Sequence, residues 1–93
     1  MKLPVHIRHN DVDNEVVNLR KSEGDELVWF SERDAFVIEF PITPFADKKF
    51  RVPAGGSVGS GPIRDDAPMT TYLYSVTNVA LAMSADPGVN IKP

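Results

Sequence analysis

The feature that most constrains this chain is the alternation of apolar and polar residues in short segments that end at proline, glycine or acidic turns. In residues 3–9 every second residue is apolar, the period expected when a β-strand buries one face. Extended segments of this kind recur at residues 15–19, 27–30, 35–40, 50–52, 70–76 and 89–92. We see no long window of helical periodicity. The pattern predicts an all-β domain of about seven short strands, an antiparallel sandwich or barrel.

Two connections between these segments carry specific predictions. Residues 27–30 and 35–40 are apolar runs separated by four polar residues, which predicts a β-hairpin. Residues 41–45 contain Pro41 and Pro44, and each proline lacks the N–H that a central strand donates. We therefore expect a loop there, with Phe45 tucked against the core.

Two further stretches do not follow the strand pattern. Residues 53–68 hold four glycines and three prolines, and irregular segments of this length often carry function. Residues 78–85 suit a short helix by composition and a strand by alternation. Both interpretations of residues 78–85 remain open.

Composition narrows the class of function. The chain has 93 residues, no cysteine and a formal net charge of −3, which suits one domain spanning residues 1–93. Disulfides and thiolate metal centres are excluded by the missing cysteine, and nucleic-acid binding is not expected because it needs a basic surface. No apolar run has the length of a membrane span and no signal peptide is visible. We expect a cytoplasmic protein, or an exported one if a leader has been removed.

Four segments, taken in order, resemble the cupredoxin-like family of small Greek-key β-sandwiches. Gly-Asp-x-Leu-x-Trp stands at residues 24–29, Phe-x-Val-Pro-Ala-Gly-Gly at 50–56, Tyr-x-Tyr at 72–74, and Asp-Pro-Gly-Val-Asn-Ile at 86–91. The resemblance extends over residues 15–93. It implies a Greek-key sandwich fold for the chain.

The resemblance does not extend to the copper ligands. The position that corresponds to the copper-binding cysteine of the family falls on Val76, no histidine follows His9, and Met83 is the one remaining candidate ligand. A blue-copper centre needs a thiolate and two imidazoles. We therefore expect no copper site and no other cofactor.

Catalytic groups are weakly represented. His6 and His9 are the only imidazoles, and a spacing of three along a strand places them on opposite faces. Residues 55–59 match the letters of the Gly-x-Ser-x-Gly nucleophile motif around Ser57. That motif needs a helix after the serine, and here a Gly-Pro sequence follows instead.

These features predict a non-catalytic binding or assembly module that acts through its surface. A protein partner, or a second copy in a homodimer, would pair with an edge strand such as residues 3–9. The candidate loop and partner surface comprises Phe45, Arg64, Asp65 and Asp66. The alternative is a small-molecule or carbohydrate-binding domain, or a hydrolase, with residues 53–68 as a lid. Its polar contacts would be Ser57, Arg64, Asp65, Asp66 and His6 or His9.

Overall fold

The fold consists of short strands. The computed structural model describes residues 1–8, 11–13, 16–79, 84–85 and 87–93, which hold eleven strands, a 3-10 turn at Lys21–Glu23 and no α-helix. The strands are β1 Lys2–Arg8, β2 Asp11–Val12, β3 Val16–Arg20, β4 Glu26–Ser31, β5 Phe36–Glu39, β6 Lys49–Val52, β7 Ser57–Gly59, β8 Thr71–Leu73, β9 Ser75–Asn78, β10 Ser84–Ala85 and β11 Gly88–Lys92. The all-β prediction is confirmed, but the number of strands in these ranges exceeds the predicted seven.

The strands form three open sheets. Sheet A has the order β2-β1-β4-β7, sheet B the order β3-β11-β8, and sheet C the order β10-β9-β5-β6. Pairing is parallel between β1 and β4 and between β3 and β11, and antiparallel elsewhere. The prediction of a purely antiparallel fold is therefore wrong. Parallel neighbours need a long crossover connection, so chain segments that pair are far apart in sequence.

The predicted hairpin of residues 27–30 and 35–40 is also wrong. Strand β4 lies between β1 and β7 in sheet A, whereas β5 lies between β6 and β9 in sheet C. At the end of β4 the N–H of Ser31 donates to the carbonyl of Gly56 (2.8 Å), and its hydroxyl donates to the carbonyl of Asp34. The connection thus carries the chain from one sheet to another, which two apolar runs cannot specify by themselves.

Residues 70–76 were predicted as one strand and form parts of two. Strand β8 pairs with β11 in sheet B and β9 pairs with β5 in sheet C. Between them the N–H of Tyr74 donates to the carbonyl of Pro87 (2.9 Å). Tyr72, Tyr74 and Val76, which alternate along this stretch, are all buried.

The stretches without a clear pattern are more ordered than the sequence indicated. Strand β7 lies inside residues 53–68, and Ile63 forms a β-bridge with Phe45. Asn78 ends β9 and residues 84–85 form β10. Residues 80–83 lie outside the described residues, as do residues 9, 15 and 86 at the ends of other predicted elements.

A single core joins the three sheets, and Trp29 of β4 lies in it with no exposed surface. Its ring contacts Phe50 at a centroid distance of 5.1 Å, Tyr74 at 5.7 Å and Phe40 at 6.2 Å. Aromatic side chains bury large apolar areas, so this cluster supplies much of the hydrophobic stabilisation. In the described part of the chain, no helix has the length and apolar character needed to cross a membrane.

Candidate functional site

The residues of the predicted partner surface do not all reach the surface: Phe45 is buried, whereas Arg64, Asp65 and Asp66 are exposed. The side chain of Phe45 is 0% exposed, and its ring packs edge-on against Phe40 at 5.7 Å. The loop prediction for residues 41–45 and the burial of Phe45 in the core are confirmed. Because the ring is inside, it contributes nothing to a surface that a partner would contact.

Arg64 and Asp66 lie beside the loop of residues 41–45, and Arg64 hydrogen-bonds to it. The backbone N–H of Arg64 donates to the carbonyl of Pro44 (2.8 Å), and its Nη2 donates to the carbonyl of Thr43 (2.8 Å). Its Nε lies 3.8 Å from a carboxylate oxygen of Asp66. The guanidinium of Arg64 therefore holds the chain's own loop.

Asp65 lies between Arg64 and Asp66 in the chain, and its backbone carbonyl accepts a hydrogen bond from Lys21. The ammonium of Lys21 donates to the carbonyls of Asp65 (3.2 Å) and Ala67. The carboxylates of Asp65 and Asp66 are in exposed residues. This part of residues 53–68 is thus tied to the domain at several points, unlike a lid that must open.

The hydrolase alternative needs Ser57 beside an imidazole. Ser57 is opposite Phe30 in the ladder of β7 and β4, and Phe30 is opposite His6 in the ladder of β4 and β1. The rings of His6 and Phe30 stack at 5.1 Å. Two strand spacings separate Ser57 from His6, about 10 Å between backbones, with Phe30 between them. The other histidine, His9, lies outside the described residues.

Ser60 is the buried hydroxyl of this segment, and its bonds are structural. Its Oγ accepts from the N–H of Leu27 (2.9 Å) and donates to the carbonyl of Gly61 (2.8 Å). These bonds join the end of β7 to β4. The hydroxyl proton is directed to the carbonyl of Gly61, which is not a base.

The residues at the family's ligand position do not fit copper. Val76 is fully buried in β9 and presents only methyl groups, which cannot ligate a metal. Met83 lies outside the described residues. Within the ranges that the structure describes, no three His, Asp or Glu side chains are grouped as metal ligands.

The edge predicted at residues 3–9 is partly covered by β2. Strand β1 lies between β4 and β2, and Ile7 pairs with Val12. The N–H of His6 donates to Oδ1 of Asp13 (2.9 Å), and the carbonyl of His6 accepts from the N–H of Asp13 (3.0 Å). Pro4, two residues earlier on the same side, has no N–H to offer. Strand β2 pairs only with Ile7 and Arg8, so the edge predicted at residues 3–9 is covered at its carboxyl end, and pairing of another chain with this edge stays a prediction.

Strand β8 is a real edge, because it ends sheet B. On one side it pairs with β11: the carbonyl of Thr70 accepts from the N–H of Ile91 (2.9 Å), and the N–H of Tyr74 donates to Pro87 (2.9 Å). Along an antiparallel strand the backbone groups of successive residues point to alternate sides. The even-numbered residues 70, 72 and 74 therefore face β11, and the backbone N–H and C=O groups of Thr71 and Leu73 are directed to the open side.

The open side of β8 has apolar surroundings. Leu73 is 60% exposed, Ile42 74% and Met69 58%. A groove of about 240 Å³ is lined by Pro41, Ile42 and residues 70–73. We call this surface the β8 edge: the open side of Thr71–Leu73 together with Pro41, Ile42 and Met69.

Side-chain hydrogen bonds on the solvent face hold β8 to its sheet. Thr71 Oγ1 donates to Asn90 Oδ1 (2.6 Å), and Asn90 Nδ2 donates to Asn18 Oδ1 (3.3 Å), which links β8, β11 and β3. Beside this row Leu73 lies over Gly88, where an added Cβ would come within 3.1 Å of Leu73 Cδ2. These contacts hold β8 in a fixed position in sheet B.

The sequence reasoning missed this edge although the sequence carries a signal for it. From residue 67 to residue 85 there is no charged side chain. Natural edge strands are commonly protected by lysine, other charges, proline or bulges. A strand-forming stretch without charge, following the proline-rich segment, marks an unprotected edge.

Comparison of the chain with models of known protein families and with curated proteins found no match. The function of the β8 edge therefore has to follow from the chemistry of the residues that form it.

Proposed function

We propose that this chain is a non-catalytic binding and assembly module of cupredoxin-like, Greek-key β-sandwich type, without a copper site. It acts by adding an extended segment of a protein partner to sheet B at the β8 edge. The observation that carries this proposal is the outward direction of the backbone groups of Thr71 and Leu73 on an uncharged strand that ends its sheet. Strand addition is a recurrent mode of peptide recognition.

The chemistry of the β8 edge supports an uncharged, extended partner segment. Main-chain hydrogen bonds to Thr71 and Leu73 supply affinity without reading sequence, while a pocket beside the strand selects a side chain. The groove lined by Ile42 and Leu73 is apolar, so it suits an aliphatic side chain at alternate positions of the partner. A charged side chain there would lose its hydration without finding a counter-charge.

The fold part of the proposal is supported by where the segments of the family resemblance lie. Trp29 of the first segment lies in the common core, the second segment overlaps β6, and the fourth overlaps β11. Val76 replaces the expected metal ligand by an aliphatic side chain inside that core. We expect a cupredoxin-like scaffold that lacks the copper-ligating residues to act by binding a partner at its surface.

A titration followed by amide chemical shifts tests the strand-addition function. The probe is an uncharged synthetic peptide of alternating Thr and Val residues, made soluble by a neutral polyethylene glycol tail. We expect shifts at residues 71–73 and at Ile42, and weaker binding in Leu73→Lys. Val16→Lys is the matched control, because Val16 is also exposed and lies on the far strand of the same sheet face. Shifts confined to other surfaces, or none at about millimolar peptide, would refute strand addition at this site.

A further inference from the structure

We infer that the segment which the β8 edge takes is the β8 edge of a second copy of this chain, paired antiparallel about a twofold axis at Tyr72. The inference rests on the proposed function and names its partner. The result is a continuous six-stranded sheet in the order β3-β11-β8-β8-β11-β3. No charged side chain from either β8 enters the new contact.

The backbone pattern of β8 is self-complementary in this register. Thr71 and Leu73 both direct N–H and C=O to the open side, and Tyr72 directs its own to β11. With the axis at Tyr72, Thr71 of one copy is opposite Leu73 of the other, and the two residues exchange both hydrogen bonds. The symmetry repeats the pair, so four N–H···O=C bonds form. Moving the register by one residue would place inward-directed groups opposite outward-directed ones.

The side chains around the axis are complementary to themselves as well. A twofold contact brings the same patch of both copies together, so Ile42 and Leu73 of one copy cover those of the other. Both residues are more than half exposed in the single chain. Covering them removes apolar surface from water, which favours association.

Some of the other sheet edges carry charges that β8 lacks, whereas β7 and β10, which end sheets A and C, carry none. Strand β6, at the end of sheet C, has Lys49 and Arg51, both exposed, and β3, at the other end of sheet B, has the exposed Arg20. Twofold pairing at either strand would bring like charges of the two copies near each other, which opposes assembly. The uncharged β8 has no such cost, and this favours a second copy as its partner.

The size of the contact sets its strength. A three-residue edge with a few apolar side chains is smaller than the roughly 800 Å² per partner of a standard stable interface. The dimer is therefore expected to be reversible, with its fraction rising with concentration.

Sedimentation equilibrium over a wide concentration range tests self-association. The wild-type chain should shift from monomer to dimer, and Leu73→Lys should raise the dissociation constant by about tenfold or more, since the two new ammonium groups would lie diagonally across the interface and repel each other. Val16→Lys, exposed to a similar degree, should leave the dissociation constant unchanged. Equal weakening by both variants would place the contact elsewhere and overturn the inference.

Cysteine cross-linking tests the register, and the chain has no native cysteine to interfere. Thr71→Cys and Leu73→Cys are made as separate proteins and mixed under mild oxidation. Opposed residues in a hydrogen-bonded pair have Cα atoms about 5.5 Å apart, within disulfide range, whereas diagonal positions are farther. The mixture should therefore form a mixed disulfide dimer faster than either protein alone. Faster linkage of one variant with itself would contradict the Tyr72 axis.

The two proposals fail in distinguishable ways. If the chain stays monomeric and the mixture gives no disulfide, but the Thr-Val peptide shifts residues 71–73, the second copy is excluded and strand addition stands. If the peptide also gives no shift, the proposed function falls with it. Folding of each variant is checked from the fluorescence of Trp29.

Discussion

Removing one hydroxyl from the core should change how stability depends on pH. Tyr74→Phe deletes the oxygen that accepts a hydrogen bond from Trp29 Nε1 at 3.3 Å, between two side chains with almost no exposed surface. The indole N–H would be left buried without that acceptor. Such a loss costs about 1–3 kcal/mol, and the length of this bond favours the lower half, about 1–2 kcal/mol, at neutral pH.

The same hydroxyl makes the wild-type protein sensitive to alkali. Burial raises the pKa of Tyr74 from 10.0 to about 12, and the hydrogen bond from Trp29 acts in the opposite direction. Because the folded-state pKa is the higher one, the unfolded chain loses this proton first as pH rises. Stability linked to Tyr74 is complete below about pH 10 and is lost toward about pH 12, by a total of about 3 kcal/mol.

The two effects give opposite orders of stability at the two ends of the pH range. Tyr74→Phe should be less stable than wild type by about 1–2 kcal/mol near neutrality, equal to it near about pH 11, and more stable above that. Other groups titrate there too, but they are common to both proteins, so the difference isolates Tyr74.

Urea unfolding measures this difference directly. Trp29 is the only tryptophan, so its emission reports the environment of the deleted bond. Unfolding curves of both proteins are collected from about pH 7 to about pH 12, and the free energies are compared at each pH. A difference that stays constant across this range would refute the assignment of Tyr74 as a buried phenol that ionises late.

Two further substitutions test the structural roles assigned to polar side chains. Ser60→Ala should lower the free energy of unfolding by about 1–3 kcal/mol because the buried N–H of Leu27 loses its acceptor, as measured by urea unfolding. Ser57→Ala, at an exposed position, should change it by less than about 0.5 kcal/mol; a reversed order would contradict the structural role of Ser60. Asn78→Ala should cost about 1–3 kcal/mol, since Nδ2 of the fully buried Asn78 donates to Asp34 (3.0 Å). An unchanged melting temperature would show that this bond contributes nothing.

The predictions that succeeded concerned single residues and their faces. In residues 3–9 every second residue is apolar, and Val5 and Ile7 of that set are buried. A side chain's side of a strand depends only on its position along that strand, so local sequence is enough to determine it. The burial of Phe45 followed similarly, because two prolines excluded a central strand around it.

The predictions that failed concerned which segments become neighbours. Residues 27–30 and 35–40 were predicted to form the two arms of a hairpin, yet the strands in these ranges pair with segments elsewhere in the chain. The candidate surface of Phe45, Arg64, Asp65 and Asp66 stays a prediction. In the structure Phe45 is buried and forms a bridge with Ile63, and the N–H of Arg64 donates to the carbonyl of Pro44. The apolar face of a strand can be buried by any of several other segments. The residues of one strand therefore do not determine which segment pairs with it.

The sequence by itself determined that this protein is built of strands, which side chains face inward, and that one stretch from residue 67 to residue 85 carries no charge. Only the tertiary structure decided that β8, inside that stretch, ends a sheet while β1 is flanked. Whether backbone groups are free depends on the presence or absence of a neighbouring strand. That neighbour is a long-range contact, and the physical chemistry of a strand's own residues does not contain it.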